Sequence, residues 1–139
     1  MMTDIELNVS IKKEDDILNA RHKARRFVIE NMNFSPLERM YVLTTVSELA
    51  RNIYKYANEG KMLTSVVQSP NGKKGIKLVF SDNGPGISDI EKAMERKSSD
   101  KYHAGMGLGL IGSKKLADEF DIKSTVGEGT VVTWIRWER

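Results

Sequence analysis

The sequence predicts a single α/β domain spanning 1–139. Three observations carry that expectation. Short runs of strand-type residues recur along the chain and pair naturally as hairpins. A capping box opens a long amphipathic run in the first half. Between Val79 and Leu110, two glycine clusters break the strand and helix patterns in the manner of ligand loops. A chain of 139 residues can bury one core. Its apolar share of 40% and charged share of 29% are ordinary for a globular protein.

In chain order, Ile5-Glu-Leu-Asn-Val9 alternates apolar and polar residues and reads as a half-buried edge strand. From Asp15 the period becomes helical, with Ile17, Ala20, Ala24, Phe27, Val28 and Met32 on one stripe. Arg21, His22, Lys23, Arg25 and Arg26 then form a solvated face. Ser35-Pro36-Leu37-Glu38 is a capping box with proline at the first helical position. It should start a helix from Pro36 to about Ala57, with Met40, Leu43, Val46, Leu49, Ala50 and Ile53 turned inward.

Gly60 ends that helix, and Met62–Gln68 and Ile76–Phe80 read as a hairpin around the loop from Ser69 to Gly75. Ser88 can cap a short helix from Asp89 to Arg96. Residues 97–104 have the small, polar composition of a lid, from which Lys101 and His103 could reach a phosphate. A helix follows from Gly109 to about Glu119. Then come a strand at Ile122–Thr125, a turn at Val126–Gly129 and a last strand, Thr130–Trp137.

The chemistry concentrates in the two glycine clusters. Asp82-Asn83-Gly84-Pro85-Gly86-Ile87 places an acid and two glycines at the end of a strand. Gly105-Met106-Gly107-Leu108-Gly109-Leu110 puts glycine at alternate positions before a helix. Glycine lets backbone approach a ligand closely and adopt positive φ at little cost. A turn that feeds a helix also aims free N–H groups at an anion. An isolated carboxylate at a strand end can accept hydrogen bonds from an amine. Together they suggest a nucleotide, with its base at Asp82 and its phosphates at the second cluster.

Other readings compete. Asn83-Gly84 alone is a hairpin-turn signal. The segment from Gly107 to Gly112 satisfies the dinucleotide fingerprint but follows no strand, and Ser113-Lys114 reverses the lysine–hydroxyl order of a P-loop. On the long helix, Glu48 and Asn52 are four apart and share a face. Glu48 could pair at the surface with Arg51 or Asn52. Alternatively, the carboxylate and amide oxygens could hold Mg²⁺, an ion that prefers oxygen.

Composition narrows the function classes. The chain has no cysteine, so disulfides and thiolate metal sites are excluded, and a cytoplasmic setting fits. There is no apolar run long enough to span a membrane and no signal-peptide pattern. A net charge of +3 does not argue for nucleic acid.

The ordered set Glu48…Asn52, Asp82-x-Gly84-x-Gly86, Gly105-x-Gly107-x-Gly109 and Gly127-Glu-Gly-Thr130 resembles the ATP-binding domain shared by gyrase, Hsp90, histidine kinases and MutL. The small size is similar to the anti-sigma-factor type of serine kinase. Ser47-Glu-Leu-Ala-Arg-Asn-Ile53, Lys73-Lys-Gly-Ile-Lys77 and the tryptophan-rich end look most like the RsbT-type switch kinases of the bacterial stressosome.

That resemblance implies a two-layer α/β sandwich with a mixed sheet, the Bergerat or GHKL fold, with ATP and Mg²⁺ bound between the layers. It implies that Glu48 is the general base and Asn52 the Mg²⁺ ligand. Asp82 would read the adenine amine, assisted by Thr130 through water. Gly84, Gly86 and Ile87 would line the base, and Gly105, Gly107, Leu108 and Gly109 the phosphates. Some close kinases of the group carry an arginine in the lid, where this chain has His103. The implied activity is serine/threonine phosphorylation of STAS-domain antagonist and scaffold proteins of the RsbS and RsbR kind. Once released from them, the kinase would activate a PP2C-type phosphatase of the RsbU kind. The alternatives are an anti-sigma factor that sequesters a sigma subunit on the same fold, and the catalytic fragment of a histidine kinase. Against the fragment, neither histidine sits in a dimerising helical hairpin.

Overall fold

Two helices separate the first strand from the second, and that even number sets the direction of the sheet. The computed structural model describes residues 5–95 and 109–139. The elements are β1 (Glu6–Ile11), α1 (Asp15–Asn31), α2 (Pro36–Tyr56), β2 (Gly60–Gln68), β3 (Lys74–Asp82), α3 (Ile90–Glu95), α4 (Gly109–Lys115), β4 (Glu119–Thr125) and β5 (Gly129–Trp137). The lid expected over 97–104, Arg96 before it, and Gly105, Gly107 and Leu108 lie outside the described residues.

The five strands lie in the order β1-β2-β3-β5-β4. Every neighbouring pair is antiparallel, which corrects the expected mixed sheet while the two-layer α/β architecture holds. The chain leaves β1, returns along α1, goes out again along α2, and so enters β2 reversed. A single crossover helix would have made that pair parallel. β3 and β4 do run the same way, but β5 folds back from β4 as a hairpin and lies between them. No parallel ladder can form.

Alternation then selects the covered face. Met62, Thr64, Ile76, Leu78, Phe80, Val132 and Trp134 are buried against the helical layer. From α1, the expected stripe of Ile17, Ala20, Ala24, Phe27, Val28 and Met32 is buried. From α2, Leu43, Val46, Leu49, Ala50 and Ile53 are buried with Val42. Met40 departs from expectation and is 57% exposed. It precedes Val42 by two positions, which rotates it by about 200° around the helix and away from the core.

Arg21 also departs from the expected solvated face. Its Nη1 donates to the Leu43 carbonyl at 2.9 Å and to Ser47 Oγ at 2.8 Å, tying α1 to the middle of α2. His22, Lys23, Arg25 and Arg26 are exposed, as the pattern predicts. The capping box forms in both directions. The Glu38 N–H donates to Ser35 Oγ, and the Ser35 N–H donates to Glu38 Oε1, each at 3.1 Å. Glu38 Oε2 lies 3.6 Å from Arg136 of β5, whose guanidinium sits over the Tyr41 ring at 4.8 Å. The start of α2 is therefore clamped to the sheet.

Several boundaries differ from the sequence pattern, two of them for evident local reasons. Asp89, rather than Ser88, caps α3, since its Oδ1 accepts the Lys92 N–H at 3.0 Å. α4 stops at Lys115 rather than near Glu119 because the Asp118 N–H donates to the Ile135 carbonyl at 2.8 Å and draws the chain into β4. Ser113 is buried on α4, and its carbonyl accepts the Trp134 indole N–H at 2.8 Å.

The same corner carries a pH-sensitive clamp. Asp118 accepts two hydrogen bonds from Arg139, at 2.7 and 3.0 Å, and one from the Trp137 N–H at 2.7 Å. Burial works to raise its carboxyl pKa, but the Arg139 and Trp137 donors outweigh burial and hold it below the ordinary carboxylate value. A lowered folded-state pKa means stability that is present above the unfolded value, near ~4, and lost as pH falls through the folded one. Arg139 is half exposed, so solvent screens the pair. Asp118→Asn is expected to lower stability at neutral pH by about 0.5–1 kcal/mol. Urea titrations across pH should show the two proteins converging as pH falls below the lowered Asp118 value. A constant gap would assign the loss to packing instead.

Candidate functional site

β3 ends at Asp82 because the next residues, Asn83 to Gly86, cannot continue a strand. In the sheet register Asp82 stands opposite Thr130, the second residue of β5. Both side chains project to the helical side, since Phe80 and Val132, two positions away on each strand, are buried there. On that side an open cleft of about 590 Å³ separates sheet from helices. Asn52, Ile53 and Tyr56 of α2 form one wall, with Phe80 and Val132 as an apolar floor. Pro85, Gly86 and Ile87 close one end, and Lys92 and Ala93 of α3 with Gly109 and Leu110 border the other parts.

Asp82 is half-buried, and its Oδ1 accepts the Gly84 N–H at 2.9 Å. That bond turns the chain away from the sheet. Its second oxygen has no hydrogen-bond partner among the described residues. Gly84 lies so close to the end of α2 that a Cβ there would be 2.6 Å from the Ala57 Cβ. Gly86 has φ +79°, and a Cβ there would run into the Thr125 carbonyl. Glycine is therefore required at Gly86 on two independent grounds, conformation and space.

The loop is held from its far side by the β4–β5 hairpin. The Ile87 N–H donates to Ser124 Oγ at 2.7 Å, and the Gly127 N–H donates to the Pro85 carbonyl at 2.8 Å. Ser124 also bonds Thr130 Oγ1 at 2.8 Å. Sequence reasoning passed over Ser124 as an ordinary strand residue. Its signal was the alternation Phe120, Ile122, Ser124, which puts a polar group where the strand's inward face reaches the cleft. Pro85, Lys92 and the Phe80–Val132 floor were passed over as well. An apolar floor has no signature in sequence beyond ordinary core residues.

Of the residues expected to bind a nucleotide, Asn52, Asp82, Gly86, Ile87, Gly109 and Thr130 line this one cleft. Gly84 supports it through Asp82. Glu48 lies one turn before Asn52 on the same helix face, yet it is 3% exposed and does not line the cleft among the described residues. The surface-pair reading of Glu48 does not hold. The residue is buried and makes no ion pair among the described residues. Glutamate is rarely buried to this degree, so its place here needs a reason beyond packing. Among the described residues no cluster of three or more His, Cys, Asp or Glu could hold a metal. Asn52 supplies a single oxygen donor facing the cleft.

Residues 39–138 match the family described as histidine kinase-, DNA gyrase B-, and HSP90-like ATPase. The chain is 44% identical over 131 residues to the serine/threonine-protein kinase RsbT of Bacillus subtilis, covering 94% of this chain and 96% of that one. It is 30% identical over 99 residues to an anti-sigma F factor of a Thermoanaerobacter species, covering 69% and 68% respectively. Among solved structures, the RsbU and RsbW domains of a Mycobacterium tuberculosis protein superpose with a TM-score of 0.62 at 16% identity, over 99% of this chain and 33% of that longer one. The SiaB-SiaC complex of Pseudomonas aeruginosa gives 0.52 at 16% identity, over 96% of this chain and 89% of its counterpart. At that identity these likenesses speak for the fold. No helix among the described residues is long and apolar enough to cross a membrane.

The geometry at Gly86 can be tested without any ligand. Gly72 has φ +87° with open space around it, so Gly72→Ala reports the conformational cost alone. Gly86→Ala adds the collision with Thr125. It is expected to be the more destabilising of the two by about 1–2 kcal/mol in urea unfolding. Equal losses would mean that the loop yields without cost.

Proposed function

The chain belongs to the histidine kinase-, DNA gyrase B- and HSP90-like ATPase family, and on that premise we propose that it is an ATP-dependent protein serine/threonine kinase of a partner-switching module. The single observation that carries this reading is the Asp82–Thr130 register pair, set at the head of an apolar-floored cleft with Asn52 on the facing helix. The 44%-identical relative, named a serine/threonine-protein kinase and matched over nearly its whole length, supports the activity.

Each residue then has a physical task. The free oxygen of Asp82 accepts a hydrogen bond from the exocyclic amine of adenine, and Thr130 accepts a second, directly or through water. Phe80, Val132 and Ile53 take the flat faces and edges of the base out of water. Gly86 and Ile87 bring backbone against it. Gly109 begins the part of the cleft nearest the phosphates, and Gly105, Gly107 and Leu108 belong to the same glycine cluster.

The donor set suits magnesium carried in on phosphates rather than one caged by protein. One amide oxygen, Asn52, faces the cleft, and among the described residues no carboxylate cluster competes with it. Bound with ATP, the ion supplies neutralisation of the phosphate charge. Glu48 takes the proton from the acceptor hydroxyl, a role for which a carboxylate on a largely buried residue one turn from Asn52 is suited. The substrates are STAS-domain antagonist proteins, and the released kinase engages a PP2C-type phosphatase in the cytoplasm. The partners rest on the resemblance carried by the sequence motifs. The anti-sigma F likeness keeps sequestration of a sigma subunit as the rival activity.

Two substitutions test this reading. Asp82→Asn places an amide where an anionic acceptor stood and is expected to weaken ATP by roughly ten- to a hundredfold in calorimetry. Unchanged affinity would remove Asp82 from the base pocket. Glu48→Gln keeps volume and a hydrogen-bonding oxygen but cannot take a proton. Single-turnover transfer from labelled ATP to a STAS-domain protein is expected to fall by ~10²–10⁴ while nucleotide binding survives. Near-wild-type transfer by the variant would end the general-base role. A wild-type protein that captures a sigma factor and phosphorylates no STAS protein would establish the rival.

A further inference from the structure

Ser124 stands behind the base pocket, where its hydroxyl makes three contacts. It accepts the Ile87 N–H at 2.7 Å, donates to the Gly129 carbonyl at 3.1 Å and meets Thr130 Oγ1 at 2.8 Å. A serine hydroxyl has one hydrogen and two lone pairs. Its partners at Ile87 and Gly129 have fixed roles, since an amide N–H can only donate and a carbonyl can only accept. Satisfying all three contacts at once puts the serine hydrogen on the carbonyl and one lone pair on the amide, and leaves one arrangement for the contact to Thr130. Thr130 donates and Ser124 accepts.

The consequence appears on the other side of Thr130. Having given its hydrogen to Ser124, the Thr130 hydroxyl offers only lone pairs to the cleft. Its register partner Asp82 has an acceptor oxygen with no partner among the described residues. The head of the cleft is thus a pair of acceptors, and whatever lies there must bring hydrogens. We propose that Ser124 is a positioning residue for nucleotide specificity: it locks the Thr130 hydroxyl as an acceptor, so that the pocket takes a purine with a 6-amino group and rejects one with a 6-keto group. The inference rests on the nucleotide reading of the cleft and adds the residue that sets its selectivity. A lone acceptor at Asp82 would leave Thr130 free to rotate and donate to a keto oxygen. The bond to Ser124 removes that option. Thr130 is 9% exposed, which limits the water that could reverse its orientation.

The probes are ATP and inosine 5′-triphosphate, which carries a keto oxygen where ATP has its amine. The quantity read is the ratio of their dissociation constants in the full-length protein. Wild type is expected to favour ATP. Ser124→Ala frees the Thr130 hydrogen, and the ratio is expected to narrow by roughly three- to tenfold, the worth of one neutral hydrogen bond. Ser124→Thr keeps the hydroxyl and is expected to restore the wild-type ratio. Loss of the Ile87 contact would weaken both nucleotides alike, so it cannot imitate a change in ratio.

A double-mutant cycle isolates the path through Thr130. In a Thr130→Val background, Ser124→Ala is expected to leave the ratio unchanged, because there is no hydroxyl left to orient. An unchanged ratio in the single Ser124→Ala variant overturns the proposal. So does an equal change with and without the Thr130 hydroxyl. A wild-type protein that binds both probes equally overturns the selectivity and leaves the nucleotide reading standing, whereas one that binds neither overturns that reading and this inference with it.

Discussion

The pairing of β3 with β5 is the constraint on which both core and site depend. These strands are remote in sequence, and their register places Phe80 opposite Val132 and Asp82 opposite Thr130. Because side chains alternate along a strand, a slip of β5 by one residue would turn Val132 and Thr130 away from the helices while β3, held by β2, kept Phe80 and Asp82 in place. The core would lose Val132 and Trp134 in the same step that the cleft lost the Thr130 hydroxyl opposite Asp82. Apolar burial therefore protects the position of two polar groups that contribute little to stability themselves. The Trp134 indole bond to Ser113 and the Arg136 bond to the Leu116 carbonyl fasten β5 to α4 and to the turn after it. The strand that carries Thr130 is thus held along most of its length.

Legibility in the sequence followed how local each signal was. The capping box at Ser35 and Glu38 and the stripes of α1 were readable because a helix is specified by neighbours within one turn. Asp82, Gly84 and Gly86 were readable because a strand cannot absorb an acid and two glycines without ending. Met40 was misassigned because inward and outward arcs at the start of a helix depend on which residues the sheet covers. The direction of β2 was also hidden. It follows from the count of helices between strands, and the family resemblance carried the expectation of a mixed sheet instead. Arg21 shows the same limit, since a cation within a basic run gives no sign that its guanidinium will find the Leu43 carbonyl.

The candidate site divides in the same way. Asn52 and Glu48 could be paired by spacing alone, yet spacing could not distinguish a surface ion pair from a buried carboxylate. Burial decided it, at 3% exposure for Glu48 and none of the ion pairing with Arg51 that a solvated helix face would favour. Ser124 was hidden for a different reason. It touches the cleft only through Ile87 and Thr130, so its contribution exists in hydrogen-bond direction and leaves no mark in composition or period.

Several of the places where the chain breaks the ordinary rules of packing lie together. A buried carboxylate at Glu48, a mid-helix Asn52, a positive φ at Gly86 and an acid closing a buried strand all border one cleft or support its wall. Each opposes folding to some degree, through lost hydration, poorer helix propensity or restricted backbone. Away from the cleft, the same elements are reinforced. α2 has its reciprocal cap, the Arg136–Glu38 contact at its start and the Arg21 bonds at its middle. The β4–β5 hairpin holds the glycine loop at both Pro85 and Ile87. Local conflict tolerated in one place and offset by neighbouring contacts is what a binding site requires, since a sequence selected for stability alone would have removed it. The reinforcement has a direction as well. It fixes the ends of α2 and the back of the loop, and leaves the faces of Asn52, Asp82 and Thr130 that meet the cleft open to a ligand.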